Sequence, residues 1–201
     1  MRSLKTIIIF VAATCQWGCT PAQSHPPELT ALIAGPVYAC CNLRVHDGIV
    51  SDGNWYESSV LYNSPSQMVP YGTRIDVVEV GPAQFLAYSE NGTRLILSID
   101  YGSEPIDIYM KKLLRPDDPR QTAASYPPAI QAAIGEARVV PDMTKEQVLM
   151  AIGYPPSHAT PSLDAAEWHY WSNRYNSYKL HFSTDGRLER FSGRLPATFR
   201  R

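Results

Sequence analysis

Cysteine and histidine are the residues of this chain whose types could support redox chemistry or metal binding. Cys40 and Cys41 are adjacent, and neither a C-x-x-C spacing nor a second cluster accompanies them. Successive side chains of an extended strand point to opposite faces. We therefore predict that one cysteine lies in the core and the other faces a partner strand. A disulfide between the two neighbours is the alternative prediction.

Two of the histidines, His169 and His181, lie on neighbouring predicted strands and alternate with apolar residues. This alternation places them on the outward face of a sheet, where they could pair across strands. A zinc site needs more ligands than these two, so a solvated or partner-facing pair is favoured. The sequence also lacks a G-x-S-x-G motif, an ordered triad and a phosphate-binding glycine loop. We predict no catalytic residue, no metal and no cofactor.

An aromatic run, Trp168 to Trp171, surrounds the first of these histidines. Its two tryptophans are three residues apart, so they face opposite sides of a strand. We expect one in the core and one at a contact surface, because aromatic side chains anchor many interfaces. An equally favoured alternative is that both simply cover a thin sheet. The predicted partner-binding residues are Trp168, His169, Tyr170, Trp171 and His181. The loop 157–166 is the competing surface.

The elements that position these residues are predicted by local chemistry. Thr144 can cap a helix, and Gln147 can reach back to the amide of the cap. Gly153 favours the end of that helix, and the following Pro155 prevents its continuation. Tyr178, Leu180 and Phe182 alternate with polar residues, which predicts a strand whose apolar face packs on the helices. Asp185-Gly186 predicts a hairpin turn into a further strand over residues 188–192.

Residues 141–191 resemble the SmpA/OmlA (BamE-like) family of small outer-membrane lipoproteins. The matching motifs are Met143-Thr144-Lys145-Glu146-Gln147-Val148, Gly153-Tyr154-Pro155, Trp168-His169-Tyr170, Leu180-His181-Phe182 and Asp185-Gly186. Asp142 departs from the pattern, since it stands where the family usually has glycine. The resemblance implies two helices on a three-stranded antiparallel sheet (ααβββ) and an accessory role in outer-membrane protein assembly.

The beginning of the chain is predicted to be an export signal. Arg2 and Lys5 precede a short apolar segment, residues 7–13, that cannot span a bilayer. Gly18-Cys19 is typical of a lipoprotein cleavage site, so Cys19 is the predicted lipidation site, with palmitate among its acyl chains. Cys15 is a second candidate for lipidation. Simple secretion, with cleavage after a small residue such as Ala22, is the alternative.

The remaining chain is predicted to be α+β and to form two small domains. A signal peptide (1–19) and a proline-containing tether (20–35) precede a mostly-β, roll- or barrel-like domain (36–116). In that domain, residues 37–43 are a predicted strand, residues 74–80 another, and Asn91-Gly92 a hairpin turn. Ser103 is predicted to cap its one closing helix. A polar, helix-poor linker (117–125), the BamE-like domain (126–195) and a tail (196–201) follow.

These features together predict a non-catalytic lipoprotein of the outer membrane that faces the periplasm. Its expected partner is an envelope protein, with the outer-membrane assembly machinery as the candidate. The formal net charge of −1 argues against nucleic-acid binding by bulk electrostatics. An anchored or secreted protein inhibitor with a similar helix-on-sheet fold is the alternative function. An envelope enzyme that uses the β domain is a third hypothesis.

Overall fold

The protein is α+β and buries two hydrophobic clusters. The computed structural model describes residues 27–50, 67–82, 84–98, 104–173, 175–196 and 199. We name its described residues 27–115 the first lobe and its described residues 119–199 the second lobe. Each lobe contributes nearly all of the buried side chains of one cluster. The predicted export signal and Cys19 lie outside the described residues. None of the described helices is long and apolar enough to cross a bilayer.

The first lobe is built on a mixed sheet of six strands in the order β3-β7-β6-β5-β1-β8. The lobe comprises α1 (Pro27–Ile33), β1 (Val37–Ala39), β2 (Leu43–Val45), β3 (Ile49–Val50), β4 (Gln67–Val69), β5 (Arg74–Val80), β6 (Gln84–Ser89), β7 (Arg94–Ser98), α2 (Ile106–Leu113) and β8 (Leu114–Arg115). β3 and β7 are parallel, whereas the other pairs are antiparallel. β2 and β4 form a separate two-stranded sheet.

Local sequence signals account for several of these elements. The predicted strand 74–80 is observed as β5, with Ile75 buried between exposed neighbours. The predicted turn at Asn91-Gly92 joins β6 to β7, and Gly92 has the positive φ of 79° that glycine adopts readily. Helix α2 buries Tyr109, Met110 and Leu113. Its N-cap position is Pro105, which makes no side-chain capping bond, and the predicted cap Ser103 lies outside the described residues.

Part of the predicted tether belongs to the first lobe. Residues 27–33 form α1, and Leu29 is almost completely buried in the first hydrophobic cluster. Leu32 and Ile33 pack against the same cluster. The three apolar side chains are spaced three and four residues apart, so one face of a short helix buries them together. Residues 27–33 of the predicted tether are therefore a helix that packs on the first lobe.

The cysteine pair departs from the favoured prediction. The predicted strand 37–43 is interrupted, since β1 ends at Ala39 and β2 begins at Leu43. Cys40 and Cys41 lie at the bend between the two strands and are joined by a disulfide. Opposite orientation of neighbouring side chains holds only for an extended strand. Because the chain bends here, the two sulfurs can meet, and both residues are buried.

The sequence had suggested that the stretch 117–125 is helix-poor, but the structure has a helix there. The stretch contains α3 (Pro119–Ala123), in which proline occupies the first turn. The Asp118 side chain caps this helix by accepting a hydrogen bond from the amide of Arg120. Ala123 is buried in the second hydrophobic cluster. The connection between the lobes is therefore packed against the second lobe.

The second lobe contains two further helices and a separate antiparallel sheet. Its elements are α4 (Pro128–Gly135), α5 (Lys145–Ile152), β9 (Glu167–Asn173), β10 (Asn176–Phe182) and β11 (Leu188–Gly193). The sheet has the order β11-β10-β9. The predicted capping box is present at the start of α5, where Thr144 and Gln147 bond each other's backbone amides. Gly153 follows the helix with a positive φ of 79°. Gly186, in the predicted hairpin turn, has a φ of 76°.

Asn42 connects the two lobes and was not recognised from the sequence. Its Nδ2 atom donates to the backbone oxygens of Ile134, at 2.6 Å, and Ala151, at 3.0 Å. Its backbone amide donates to Met150 O, and its Oδ1 atom accepts from the amide of Tyr71. The carbonyls of Met150 and Ala151 belong to the last turn of α5, where a helix leaves carbonyl groups without intrahelical partners. The carbonyl of Ile134 belongs to the last turn of α4 and also accepts from the amide of Ala137. A single buried side chain therefore completes two helix ends.

Candidate functional site

The three-stranded sheet of the second lobe has two chemically different faces. Trp168, Tyr170, Tyr178, Leu180 and Phe182 are buried and belong to the same cluster as the helix residues. The alternating positions point the other way and are exposed or half-buried. We call this second set the outward face; it comprises Glu167, His169, Trp171, Lys179, His181, Arg190 and Ser192.

Two of the predicted partner-binding residues are core residues instead. Trp168 and Tyr170 are completely buried. The Trp168 ring packs 4.7 Å from Phe182, measured between ring centroids, and its Nε1 atom donates to Leu163 O. The Tyr170 hydroxyl donates to Gly153 O. Both side chains are therefore satisfied inside the fold, on the face of the sheet that belongs to the second hydrophobic cluster.

The other three predicted residues, His169, Trp171 and His181, do lie together on the outward face. Trp171 is half-buried, and its ring stacks on that of His169 with a centroid distance of 4.2 Å. The ring of His158, from the preceding loop, also lies near the ring of Trp171, with a centroid distance of 5.6 Å. The two strand histidines do not pair, since His169 is opposite Lys179 and His181 is opposite Glu167.

A polar network that sequence reasoning missed surrounds His181. Glu167 accepts from Lys179 Nζ at 2.6 Å and lies 3.3 Å from His181 Nδ1. His181 Nε2 lies 2.8 Å from Ser192 Oγ. The hydrogen bond from Lys179 is the main reason that the pKa of Glu167 is lowered. Only the register of β10 with β9 and β11 could have indicated this network, because it places Glu167 and Arg190 opposite His181.

His169 is held in its neutral form more strongly than an exposed histidine. Burial is the main cause that lowers its pKa, and the nearby Lys179 cation acts in the same direction. Its backbone amide donates to Thr160 Oγ1 at 2.9 Å. Its Nε2 atom is inaccessible and makes no hydrogen bond within the described part of the chain. The aromatic stack therefore presents an uncharged surface beside the Lys179–Glu167 ion pair.

The order Ser192–His181–Glu167 resembles the hydroxyl, base and carboxylate of a nucleophilic enzyme. Acyl transfer also needs donors aimed at the developing oxyanion. The central strand β10 pairs with both neighbours, so its amides lie in the plane of the sheet. These amides therefore do not point out of the outward face.

Among the described residues, no three His, Cys, Asp or Glu side chains are arranged to hold a metal ion. The arrangement is suited to hydrogen bonding and aromatic contact.

The loop 157–166, the competing surface, is tied to the second lobe. Leu163 O accepts from Lys145 Nζ and from Trp168 Nε1. The amide of Phe182 donates to Ala166 O at 2.7 Å. Together with the Thr160 contact to β9, these bonds hold the loop along the edge of the sheet. It borders the outward face, where His158 lies beside Trp171.

Relatives would help to identify the use of this face. The chain matches no family model, no curated protein and no solved structure. Its resemblance to the SmpA/OmlA family therefore rests on the sequence motifs alone.

Proposed function

We propose that this chain is a non-catalytic lipoprotein of the outer membrane and that the outward face of its second lobe binds an envelope protein. The observation that carries this proposal is the Trp171–His169 stack on a sheet face that the helices leave uncovered. Aromatic side chains at the centre of a patch, with charged groups around them, are typical of protein interfaces. Lys179, Glu167 and Arg190 supply the charged surroundings.

The finer architecture belongs to the same proposal. We interpret the first lobe as a roll closed by α2, and the second lobe as two helices packed on a three-stranded sheet of the SmpA/OmlA type. Asp142 is consistent with that type although the family usually has glycine there. Its φ of 68° lies in the left-handed region, which glycine adopts most readily and aspartate tolerates. An accessory role in outer-membrane protein assembly or envelope integrity is the function that this resemblance supports.

Loss of partner capture is the expected result when the outward face is altered. In a capture experiment from solubilised envelope, the double variant His169→Ala/His181→Ala and the single variant Trp171→Ala are expected to retain clearly less partner than the wild type. Both variants are expected to remain folded, which thermal unfolding checks, because these side chains lie on the outward face and not in the core. Tyr88→Ala is the matched control, because Tyr88 is an exposed aromatic residue of the first lobe.

The same experiment separates the alternatives. Unchanged capture by the outward-face variants, together with lost capture when the loop 157–166 is shortened, would move the site to the loop. Capture of a single soluble enzyme, in place of outer-membrane assembly components, would support the inhibitor hypothesis and contradict the assembly role.

Membrane anchoring is expected to depend on Cys19. Cells that express the protein should incorporate a clickable fatty acid into it, and Cys19→Ser should abolish both the label and membrane association. Several acyl chains on one cysteine would anchor stably, since each buried methylene contributes about 0.8 kcal/mol. Cys15→Ser serves as the matched control and should remain labelled. If Cys19→Ser stays labelled while Cys15→Ser does not, the lipidation site is Cys15.

A further inference from the structure

The disulfide between Cys40 and Cys41 lies where the two lobes meet. The amide of Cys40 donates to Leu113 O of the first lobe at 2.8 Å. Two residues later, the amide of Asn42 donates to Met150 O of the second lobe at 3.1 Å. The disulfide closes a small ring that contains the peptide bond between the two cysteines. This ring restricts the backbone immediately before Asn42, the residue whose side chain reaches both α4 and α5.

The side-chain hydrogen bonds of Asn42 require a defined position of its backbone, which a flexible backbone would hold less well. Its Nδ2 atom bonds two carbonyls at once, while its Oδ1 atom accepts from the Tyr71 amide. These groups are buried, and a buried polar group that loses its partner is destabilised by the full cost of its desolvation. The conformational freedom of residues 40–41 is therefore coupled to the contact between the lobes.

Cys40 is more accessible to solvent than Cys41. Cys40 retains 7% of its surface exposure, whereas Cys41 is completely buried. Cys40 also lines a cavity of about 40 Å³, together with Arg115, Glu146, Leu149, Met150 and Tyr154. The cavity is too small for a drug-sized ligand.

We propose that the Cys40–Cys41 disulfide is a site of reversible thiol–disulfide exchange with a dithiol reductant, and that its reduction loosens the docking of the lobes through Asn42. A thiolate of the reductant attacks Cys40 Sγ, the bond to Cys41 breaks, and Cys41 leaves as a thiolate that takes up a proton. The second thiol of the reductant then attacks the mixed disulfide and releases Cys40. Two electrons pass to the protein, and the dithiol becomes a disulfide. This inference is independent of the proposed binding role.

Hydrogen exchange of the full chain, with and without dithiothreitol under native conditions, tests the proposal. Mass spectrometry should find the disulfide in the untreated protein and two thiols after treatment. The amides of Asn42 and Tyr71 are expected to exchange roughly tenfold faster after reduction, because their hydrogen bonds depend on the position of Asn42. The amide of Leu180, in the central strand of the second lobe, is the internal control and should not change.

The double variant Cys40→Ala/Cys41→Ala is the matched control protein. It should exchange as the reduced wild type does, whether or not dithiothreitol is present. Free thiols in the untreated protein, or a disulfide that reacts only after denaturation, would overturn the proposal. Reduction that leaves the Asn42 and Tyr71 amides unchanged, or that accelerates Leu180 equally, would also overturn it. The wild-type comparison remains decisive if the double variant does not fold.

Discussion

Phe182→Ala is expected to lower the free energy of unfolding by about 3–5 kcal/mol, the usual range for truncation of a buried phenylalanine. Phe182 is 5% exposed, packs on Trp168 and lies under the ammonium group of Lys145. The substitution removes the ring from the second hydrophobic cluster, which contains residues of both α5 and the sheet, and it leaves a cavity beside Trp168. Urea unfolding monitored by tryptophan fluorescence measures the change.

Lys179→Ala is the matched control on the same strand. Lys179 points to the outward face, and its ion pair with Glu167 is substantially exposed, so its removal should change stability little. The two substitutions are three residues apart on β10, which period two assigns to opposite faces. Equal shifts of the unfolding midpoint would contradict the register of this strand and therefore also the composition of the outward face.

Asn42→Leu is expected to lower the free energy of unfolding by at least about 2 kcal/mol, because Ala151 O and the Tyr71 amide lose their partner and each such group costs about 1–3 kcal/mol. The leucine side chain has nearly the same size but cannot bond Ile134 O, Ala151 O or the Tyr71 amide. This loss of stability should mainly weaken the contact between the lobes. Thermal unfolding followed by calorimetry should then show a lower transition temperature and a broader transition.

Asn91→Leu is the control for this effect. Asn91 is exposed in the turn between β6 and β7 and contributes nothing to the lobe contact. Its replacement should change stability much less than that of Asn42. A destabilisation of similar size in the two variants would contradict the role assigned to the buried asparagine.

The sequence was sufficient wherever a structure depends on neighbouring residues. Thr144 and Gln147 form the capping box that their spacing predicts, and Gly153 follows the end of α5. The turns at Asn91-Gly92 and Asp185-Gly186 join the predicted strands, because glycine tolerates the positive φ that such turns require. In each case the interacting groups are a few residues apart, so their chemistry can be read directly from the chain.

The sequence was insufficient wherever a segment depends on a distant surface. Residues 27–33 are too few to form a stable helix alone, so α1 depends on packing, and Leu29 is buried in the first hydrophobic cluster. The bend at Cys40 and Cys41 separates two strands that pair with different sheets. A period-two pattern contains no information about such a change of sheet. Asn42 looked like a polar interruption of an apolar strand until α4 and α5 supplied its partners.

The candidate site shows the same division. Period two by itself determined that Trp168 and Trp171 face opposite sides of their strand, and that His181 points away from Leu180 and Phe182. Which tryptophan enters the core was decided by the register of β9 against β10, which places Trp168 opposite Leu180. The hydrogen bond from Lys179 to Glu167 and the one between His181 and Ser192 together span three strands. Such contacts exist only once the strands are paired, because the tertiary structure sets the register of each strand and the sequence pattern sets only the alternation along it.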